Sequence, residues 1–270
     1  MADILELWDF GDPAASEARF REVLQDGWDA EVTTQIARAQ GLQGEFAKAR
    51  ETLEEVRDRI DQSPSPELAR FLLESGRVEN SSGNTEGSAT FFKDALAVAN
   101  SIGNEYLAID AAHMLGIVGN GAVALEWNKR AIEMAFRAKD EQARQWLGSL
   151  HNNLGWALHD LGKYEEALIE FTKALEFREK QVKPDNIRIA KWCIGRCLRS
   201  LGRLDEALDI QRGLYEELEN DGYILEEIGE NLLALGEPEE AAIWFGRAAE
   251  KLRGAVDDER LARMIELSGN

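Results

Sequence analysis

The chain has 270 residues and a formal net charge of −20, from 51 acidic and 31 basic residues. This balance argues against nucleic acid and against an anionic membrane surface as main partners, since both need clustered lysine and arginine. No apolar run approaches the roughly 18 residues of a membrane span, and the acidic start MADILELWDF lacks the pattern of a signal peptide.

The only two cysteines, Cys193 and Cys197, lie four residues apart on one predicted helix. Two cysteines make no disulfide framework, which favours a reduced, cytoplasmic setting. We interpret them as small core residues, with a redox pair as the less favoured alternative.

The N-terminal part of the chain predicts helices that come in pairs. Residues 1–27 are predicted to form half of such a pair, with a short helix at 3–9. Its second helix starts at Asp12-Pro13, because proline is favoured at the first helical position. Residues 30–63 form a complete pair with apolar residues at helical spacing.

Two weaker pairs follow, at 68–102 and 105–138. The polar segment ENSSGNTEGS leaves the helix boundaries of the first open, and the turn GIVGNGA leaves the register of the second ambiguous by one helical turn. The next helix is predicted to run from about Glu141 to Leu161.

The clearest pair is the segment from His151 to Phe177. Its apolar and small residues occupy one face of each helix, and Gly162 lies where a left-handed residue ends the first helix. The pattern Leu-Gly, Gly, Ala, aromatic, Ala is formed by Leu154, Gly155, Gly162, Ala167, Phe171 and Ala174. The same frame returns at Ala207 and Ala241, at intervals of 40 and 34 residues.

This pattern resembles the tetratricopeptide repeat, a helix–turn–helix unit of about 34 residues. The motif LHNNLG and the lengthened segment around it are similar to kinesin light chain repeats. The resemblance implies an all-α fold, a right-handed superhelical solenoid of antiparallel helix hairpins, as one domain over 1–270. The predicted parts are the half repeat 1–27, the repeats 30–63, 68–102, 105–138, 141–181, 187–218 and 222–254, and a capping helix at 257–267.

No grouping of residues with catalytic chemistry is visible. The histidines His113, His151 and His159 lack the paired spacing of a zinc site on a helix. There is no phosphate-binding glycine motif and no nucleophile elbow. We therefore expect no enzyme activity, no cofactor and no metal.

The resemblance implies that the first helices of the repeats line an inner groove. With the register fixed by the glycine that follows Leu or Ile, the central repeat is predicted to contribute Ser149, Asn152, Trp156 and His159. The next repeat is predicted to contribute Ile189, Trp192, Arg196 and Arg199, with Arg188 beside them. Earlier repeats add Arg38, Arg70, Arg77, Tyr106 and His113, and the last adds Tyr223, Glu226 and Glu230. Asn153 occupies the place where members of the family use asparagine to hold a peptide backbone.

Arg188, Trp192, Arg196 and Arg199 fall within about 80° of one another on a helical wheel. Arginine forks suit carboxylates, and the two tryptophans offer flat apolar area. The sequence therefore predicts a groove that anchors an acidic peptide or a chain-terminal carboxylate. The competing interpretation is that Arg196 and Arg199 pair with Glu226 and Glu230 of the next first helix.

The function implied by the resemblance is a non-catalytic scaffold that binds a protein or peptide. The alternative is a peptide-sensing regulator whose superhelix changes on ligand binding. A homodimer through Trp8 and Phe10 is a further open alternative.

Overall fold

The computed structural model describes residues 4–269. Residues 1–3 of the predicted N-terminal half repeat and Asn270 lie outside the described residues. Between residues 4 and 269 the regular secondary structure is helical, without strands, which confirms the predicted all-α class.

The α-helices follow one another through short turns. In chain order they are α1 (Pro13–Val23), α2 (Ala30–Leu42), α3 (Phe46–Arg59), α4 (Pro66–Ser81), α5 (Thr85–Ser101), α6 (Glu105–Val118), α7 (Gly121–Arg137), α8 (Glu141–Arg144), α9 (Leu147–Asp160), α10 (Tyr164–Gln181), α11 (Pro184–Ser200), α12 (Leu204–Glu217), α13 (Gly222–Leu235), α14 (Pro238–Leu252) and α15 (Asp258–Leu267). Short 3₁₀ turns at Ile4–Leu7 and Leu24–Asp26 flank α1.

The chain divides into two compact units, Met1–Trp146 and Leu147–Asn270, here called unit 1 and unit 2. In unit 1 the hairpins are α2/α3, α4/α5 and α6/α7. In unit 2 they are α9/α10, α11/α12 and α13/α14, and α15 packs on α14. Within each unit, first helices of successive hairpins also contact one another. We call the exposed side of these first helices the first-helix face.

The core of a hairpin is set by an aromatic ring of the second helix that fits against a glycine of the first. Phe171 is fully buried, and a Cβ atom on Gly155 would lie 2.6 Å from its ring. The hairpins α4/α5 and α13/α14 repeat this contact with Gly76 and Phe92, and with Gly229 and Phe245. The absence of a side chain lets the two helices approach closely, and the ring fills the space between them.

In the hairpins α6/α7 and α11/α12 an amide side chain takes the place of the ring. Asn128 of α7 lies against Gly116, and Gln211 of α12 lies against Gly195. The side-chain NH₂ of Asn128 donates to the backbone oxygen of Ala124 at 2.9 Å. The side-chain oxygens of both amides are buried without a hydrogen-bond partner.

The helix predicted from Glu141 to Leu161 is interrupted. It consists of α8 and α9, with a turn at Gln145 and Trp146 between them. The ring of Trp146 packs against Tyr106 and His113 of α6, with centroid separations of 5.8 and 4.9 Å. These tertiary contacts tie the start of the predicted helix to unit 1.

The turns are shorter than the polar segments in the sequence indicate. The helix α4 continues through Glu79 to Ser81, so that only residues 82–84 separate it from α5. In the segment QVKPDN, α10 ends at Gln181 and α11 begins at Pro184. The long repeat interval there therefore comes from lengthened helices.

Replacing Gly155 by alanine should destabilise the fold, because the new Cβ would collide with the buried ring of Phe171. Overpacking of this kind costs about 1–3 kcal/mol. The matched control is Gly213→Ala on α12, where a Cβ meets no atom within 4 Å and the gain in helix propensity stabilises by about 0.5–1 kcal/mol. Urea unfolding of both variants checks the prediction, and changes of the same sign would contradict it.

Candidate functional site

The predicted groove residues fall in both units. Arg77 and His113 lie on α4 and α6 of unit 1. Arg38, Arg70 and Tyr106 also lie in unit 1, on α2, α4 and α6. Tyr223, Glu226 and Glu230 lie on α13 of unit 2. The other predicted residues lie on α9 and α11 of unit 2: Ser149, Asn152, Asn153, Trp156, His159, Arg188, Ile189, Trp192, Arg196 and Arg199. Each unit is therefore described by itself.

Two tryptophans from neighbouring first helices come together in unit 2. The rings of Trp156 on α9 and Trp192 on α11 are half-buried, with centroids 6.1 Å apart. Trp156 also meets the edge of His159 at 5.2 Å. The Nε2 atom of His159 lies 2.9 Å from the hydroxyl of Ser200. Burial, followed by the charge of Arg196, lowers the pKa of His159, so that the ring is neutral at pH 7.

The two asparagines of the LHNNLG motif differ in exposure. Asn152 is 9% exposed, and its side-chain oxygen is buried without a hydrogen-bond partner. Asn153 is half-buried. Asn153 is thus the member of this pair that remains accessible to a ligand.

The arginines of α11 contact acidic residues of the next first helix. Arg196 Nε lies 3.1 Å from an oxygen of Glu227, and Arg199 Nε donates to the other oxygen at 2.9 Å. Arg199 also lies 3.7 Å from Glu230. The pairing between neighbouring first helices is therefore present, but it is centred on Glu227, which is buried.

Glu226 has a different partner from the one that the sequence indicates. Both of its carboxylate oxygens accept hydrogen bonds from Arg260 of α15. Glu230 likewise contacts Arg263 of the same helix. Adjacent glutamates on α13 thus face opposite neighbours, and only the packed arrangement of the helices decides which one meets α11.

A cleft of about 450 Å³ lies between the start of α11 and the start of α13. Its lining is mostly apolar, with three charged side chains at the rim. The lining residues are Ile189, Trp192, Leu218, Tyr223 and Ile224, with Asp185, Arg188 and Asp221. Ile189 is 50% exposed and Tyr223 is 40% exposed. The cleft can receive an apolar side chain next to a guanidinium.

In unit 1 the predicted groove residue Arg77 is the centre of a buried ion network. Its guanidinium donates to Glu74 at 2.6 Å and also to Asp110 of α6. Burial opposes the charge of each group. The two carboxylates nevertheless raise the pKa of Arg77, and Arg77 holds the pKa of Asp110 below its usual value. Glu74 and Asp110 were not among the residues predicted from the sequence, because acidic residues are common on all helices of this chain.

His113 lies beside this network and carries no charge at neutral pH. Burial lowers its pKa from 6.5 to about 4, and the nearby Arg77 acts in the same direction. Its Nδ1 atom is buried without a hydrogen-bond partner.

The two cysteines lie in the core of unit 2. Cys193 and Cys197 are buried free thiols, and burial raises the pKa of each to about 11, which makes them poor nucleophiles. Among the side chains that the structure describes, no group of three or more His, Cys, Asp or Glu is arranged to hold a metal ion. None of the described helices is both long and apolar enough to cross a membrane.

The fold is that of an α-helical repeat protein built from two-helix hairpins. Two segments match family models of the tetratricopeptide repeat, residues 148–180 and residues 33–55. These two segments are similar to tetratricopeptide repeats, and each lies within a helical hairpin of the structure. No curated protein matches it by sequence.

Solved structures with the same fold include three informative examples. The apo form of RapI is 15% identical, with 98% of this chain and 80% of that chain covered and a TM-score of 0.72. NprR in complex with its cognate peptide NprX is 17% identical, with 98% of this chain and 80% of that chain covered and a TM-score of 0.59. A putative kinesin light chain from Podospora anserina with nearly identical repeats is 15% identical, with 76% of this chain and 98% of that chain covered and a TM-score of 0.56.

Removing Glu227 should cost much more stability than removing an exposed acid between neighbouring helices. In Glu227→Ala the guanidinium groups of Arg196 and Arg199 lose their buried carboxylate, and breaking a buried pair costs about 3–5 kcal/mol. The matched control is Glu240→Ala, whose pair with Arg212 is 3.1 Å long and well exposed on both sides; this loss should stay below about 1 kcal/mol. Chemical denaturation measures both, and equal losses would show that Glu227 is not a structural ion.

The low pKa of His113 should appear as a pH-dependent stability. The folded chain holds the ring neutral down to about pH 4, whereas the unfolded chain binds a proton near pH 6.5. The neutral ring of His113 therefore contributes fully to the free energy of unfolding above pH 6.5, and this contribution is lost as the pH falls toward 4. Compared with His113→Gln, the parent should lose roughly 3 kcal/mol or less over this window. Urea unfolding at pH 7, 5.5 and 4.5 measures it, and a constant difference would contradict the neutral state.

Proposed function

We propose that the chain is a non-catalytic scaffold that binds a peptide or an extended segment of a partner protein on its first-helix face. In unit 2 the binding surface comprises the cleft beside Trp192 together with Trp156, Asn153 and His159. The fold of NprR, which holds its cognate peptide NprX, supports this class of function. The observation that carries the proposal is the apolar cleft itself.

The cleft has the properties of an anchor site. It brings together partly exposed apolar side chains that are separated by about 30 residues of sequence, including Ile189 and Tyr223. Binding sites of this kind combine apolar walls with a few polar groups that fix orientation. An isoleucine or aromatic side chain placed between Trp192 and Tyr223 removes apolar surface of both partners from water, which favours binding.

Whether the site prefers an acidic ligand depends on which arginine can leave its present carboxylate partner and bind a carboxylate of the ligand. Arg196 and Arg199 share a buried carboxylate, so a ligand must compete with an interaction already made inside the fold. Arg188, in contrast, contacts Asp185, whose side chain is 83% exposed. An exposed pair of this kind contributes little to stability. We therefore assign the ligand's carboxylate to Arg188 at the rim of the cleft.

A second candidate function is a peptide-sensing regulator. It is favoured by the division of the chain into two compact units at the turn before Leu147. In that case a bound peptide changes the solution shape, and small-angle scattering with and without peptide separates the two functions.

The scaffold proposal predicts that a charge in the cleft abolishes peptide binding. Peptides selected from a displayed random library on the parent chain are measured by fluorescence polarisation against Ile189→Glu. Loss of one isoleucine contact and burial of a carboxylate should weaken binding by about tenfold or more, since 1.4 kcal/mol corresponds to a factor of ten.

The matched control is Ile169→Glu on the second helix α10. Ile169 is 56% exposed, close to the 50% of Ile189, and it is not part of the cleft lining. This variant should bind like the parent, and circular dichroism should show the same helix content for both. Equal affinity of Ile189→Glu and Ile169→Glu for every selected peptide would refute the cleft as the binding site.

A further inference from the structure

The C-terminal helix α15 is attached to the last hairpin of unit 2 by little buried surface. Of its ten described residues, Asp258–Leu267, only Met264 is buried. Leu261 and Ile265 are partly buried and join the same apolar core of α13 and α14. Helices shorter than about 12–15 residues are marginal in water by themselves. The helix α15 therefore depends on the surface beneath it.

Two arginines connect α15 to α13. Arg260 donates to both carboxylate oxygens of Glu226, at 2.8 and 2.5 Å. Arg263 pairs with Glu230, and its guanidinium lies 6.0 Å from the ring centroid of Phe245. The side chains of the two glutamates are 7% and 14% exposed, whereas those of the arginines are 40% and 50% exposed. The acids are thus fixed parts of the hairpin, and the arginines can exchange with water.

The surface that α15 covers combines an apolar floor with an acidic edge. Phe245 and Gly246 of α14 belong to the floor, and a Cβ atom on Gly246 would lie 3.6 Å from the Cβ atom of Ser268. Glu226 and Glu230 of α13 form the edge. We call this surface the terminal flank. It fits an amphipathic helix that carries two basic residues, three positions apart, beside its apolar stripe.

The charges on the outer side of α15 do not suit its surroundings. Asp258, Glu259 and Glu266 are exposed, so that α15 has three acids and two arginines. The segment from Gly213 to Gly246 contains ten acids and no lysine or arginine. Like charges at short range repel one another. A helix that keeps the two arginines and the apolar stripe but lacks the outer acids should therefore bind the terminal flank better than α15 does.

The connection between α14 and α15 allows α15 to leave as a unit. Residues 253–257 join the two helices and are largely exposed, and Gly254 has a φ of 80°. The hairpin α13/α14 also has a core contact of its own, the ring of Phe245 against Gly229. Detachment of α15 would thus leave this hairpin closed and uncover the terminal flank.

We propose that the terminal flank is a docking site for a basic amphipathic helix of a partner protein, and that α15 is an internal competitor for this site. Charge complementarity selects the occupant, because the edge of the flank and the chain around it are acidic. A second copy of this chain is a poorer occupant, since its α15 carries the same acids and each copy has a net charge of −20. The proposal does not depend on peptide binding in the cleft of unit 2.

The test uses the full chain and two full-length variants in which α15 is released. Met264→Glu places a charge where the buried methionine packs, which is unfavourable in an apolar core. Arg260→Glu with Arg263→Glu keeps Met264 but sets like charges against Glu226 and Glu230. Circular dichroism should show a folded chain that has lost about one short helix in each case. Agreement between the two variants separates release of α15 from the effect of one substitution.

The probes are fluorescently labelled peptides with the sequence of residues 255–268. The native probe is unchanged, and the basic probe carries Asp258→Gln, Glu259→Gln and Glu266→Lys. A control probe adds Met264→Glu to the basic probe. Affinities are measured by fluorescence polarisation.

We expect the basic probe to bind both released variants at least about tenfold more tightly than the parent chain. In the parent, the tethered α15 competes at an effective concentration of about millimolar. The basic probe should also bind the released variants more tightly than the native probe, because it lacks the outer acids. The control probe should not bind, since its apolar stripe is interrupted.

Substitutions in the released Met264→Glu chain locate the probe. Glu226→Gln should weaken binding of the basic probe, because Arg260 of the probe loses a charged partner. The matched control is Glu239→Gln, which alters an exposed acid of α14 and should leave the affinity unchanged. Ile189→Glu, which disables the cleft of unit 2, should also leave it unchanged.

Equal affinity of the parent and both released variants for the basic probe, or no binding to either folded variant, would overturn the proposal. Binding of the native probe as tight as that of the basic probe would assign the flank to α15 of a second copy and overturn the basic partner. Loss of binding in Ile189→Glu would move the helix to the cleft, with the same consequence. Binding that survives Ile189→Glu supports the terminal flank even if no peptide occupies the cleft.

Discussion

The contact between a glycine of the first helix and a ring of the second is the constraint on which the hairpins α4/α5, α9/α10 and α13/α14 depend. Gly155 and Phe171 illustrate it, since a single added carbon on the glycine would overlap the ring. The contact fixes both the distance between the two helices and their rotation about their axes. Because the rotation of the first helix decides which side chains remain accessible, the same buried contact determines the composition of the first-helix face.

Two buried acidic residues, Glu227 and Asp110, act as structural ions between first helices. Glu227 joins α11 to α13 through Arg196 and Arg199, and Asp110 joins α4 to α6 through Arg77. These carboxylates are buried, and a buried ion that keeps its partners is costly to disturb. On a helical wheel Arg77, Arg196 and Arg199 lie where a ligand could reach them. In the structure each of them already pairs with an acid of the neighbouring hairpin. The net charge of −20 contributes to how the hairpins are joined as well as to solubility.

Each unit then retains one local feature that the fold does not use. In unit 2 it is the apolar cleft around Ile189 and Trp192, with Arg188 at its rim. In unit 1 it is the stacked pair of Trp8 and Phe10 with the guanidinium of Arg38 beside it. The cleft of unit 2 favours an apolar side chain of a ligand, which a peptide can supply.

The sequence by itself determined the helical class, the repeat frame and most helix ends, because helical periodicity, glycine turns and proline starts act over a few residues. It also placed Trp156 and Trp192 on the same face, which the structure brings to 6.1 Å. Only the tertiary structure decided that Glu227, and not Glu226, meets the arginines of α11, and that Trp146 divides a predicted helix. These outcomes depend on how one helix is rotated against another, and a shift of one residue turns a side chain by about 100°.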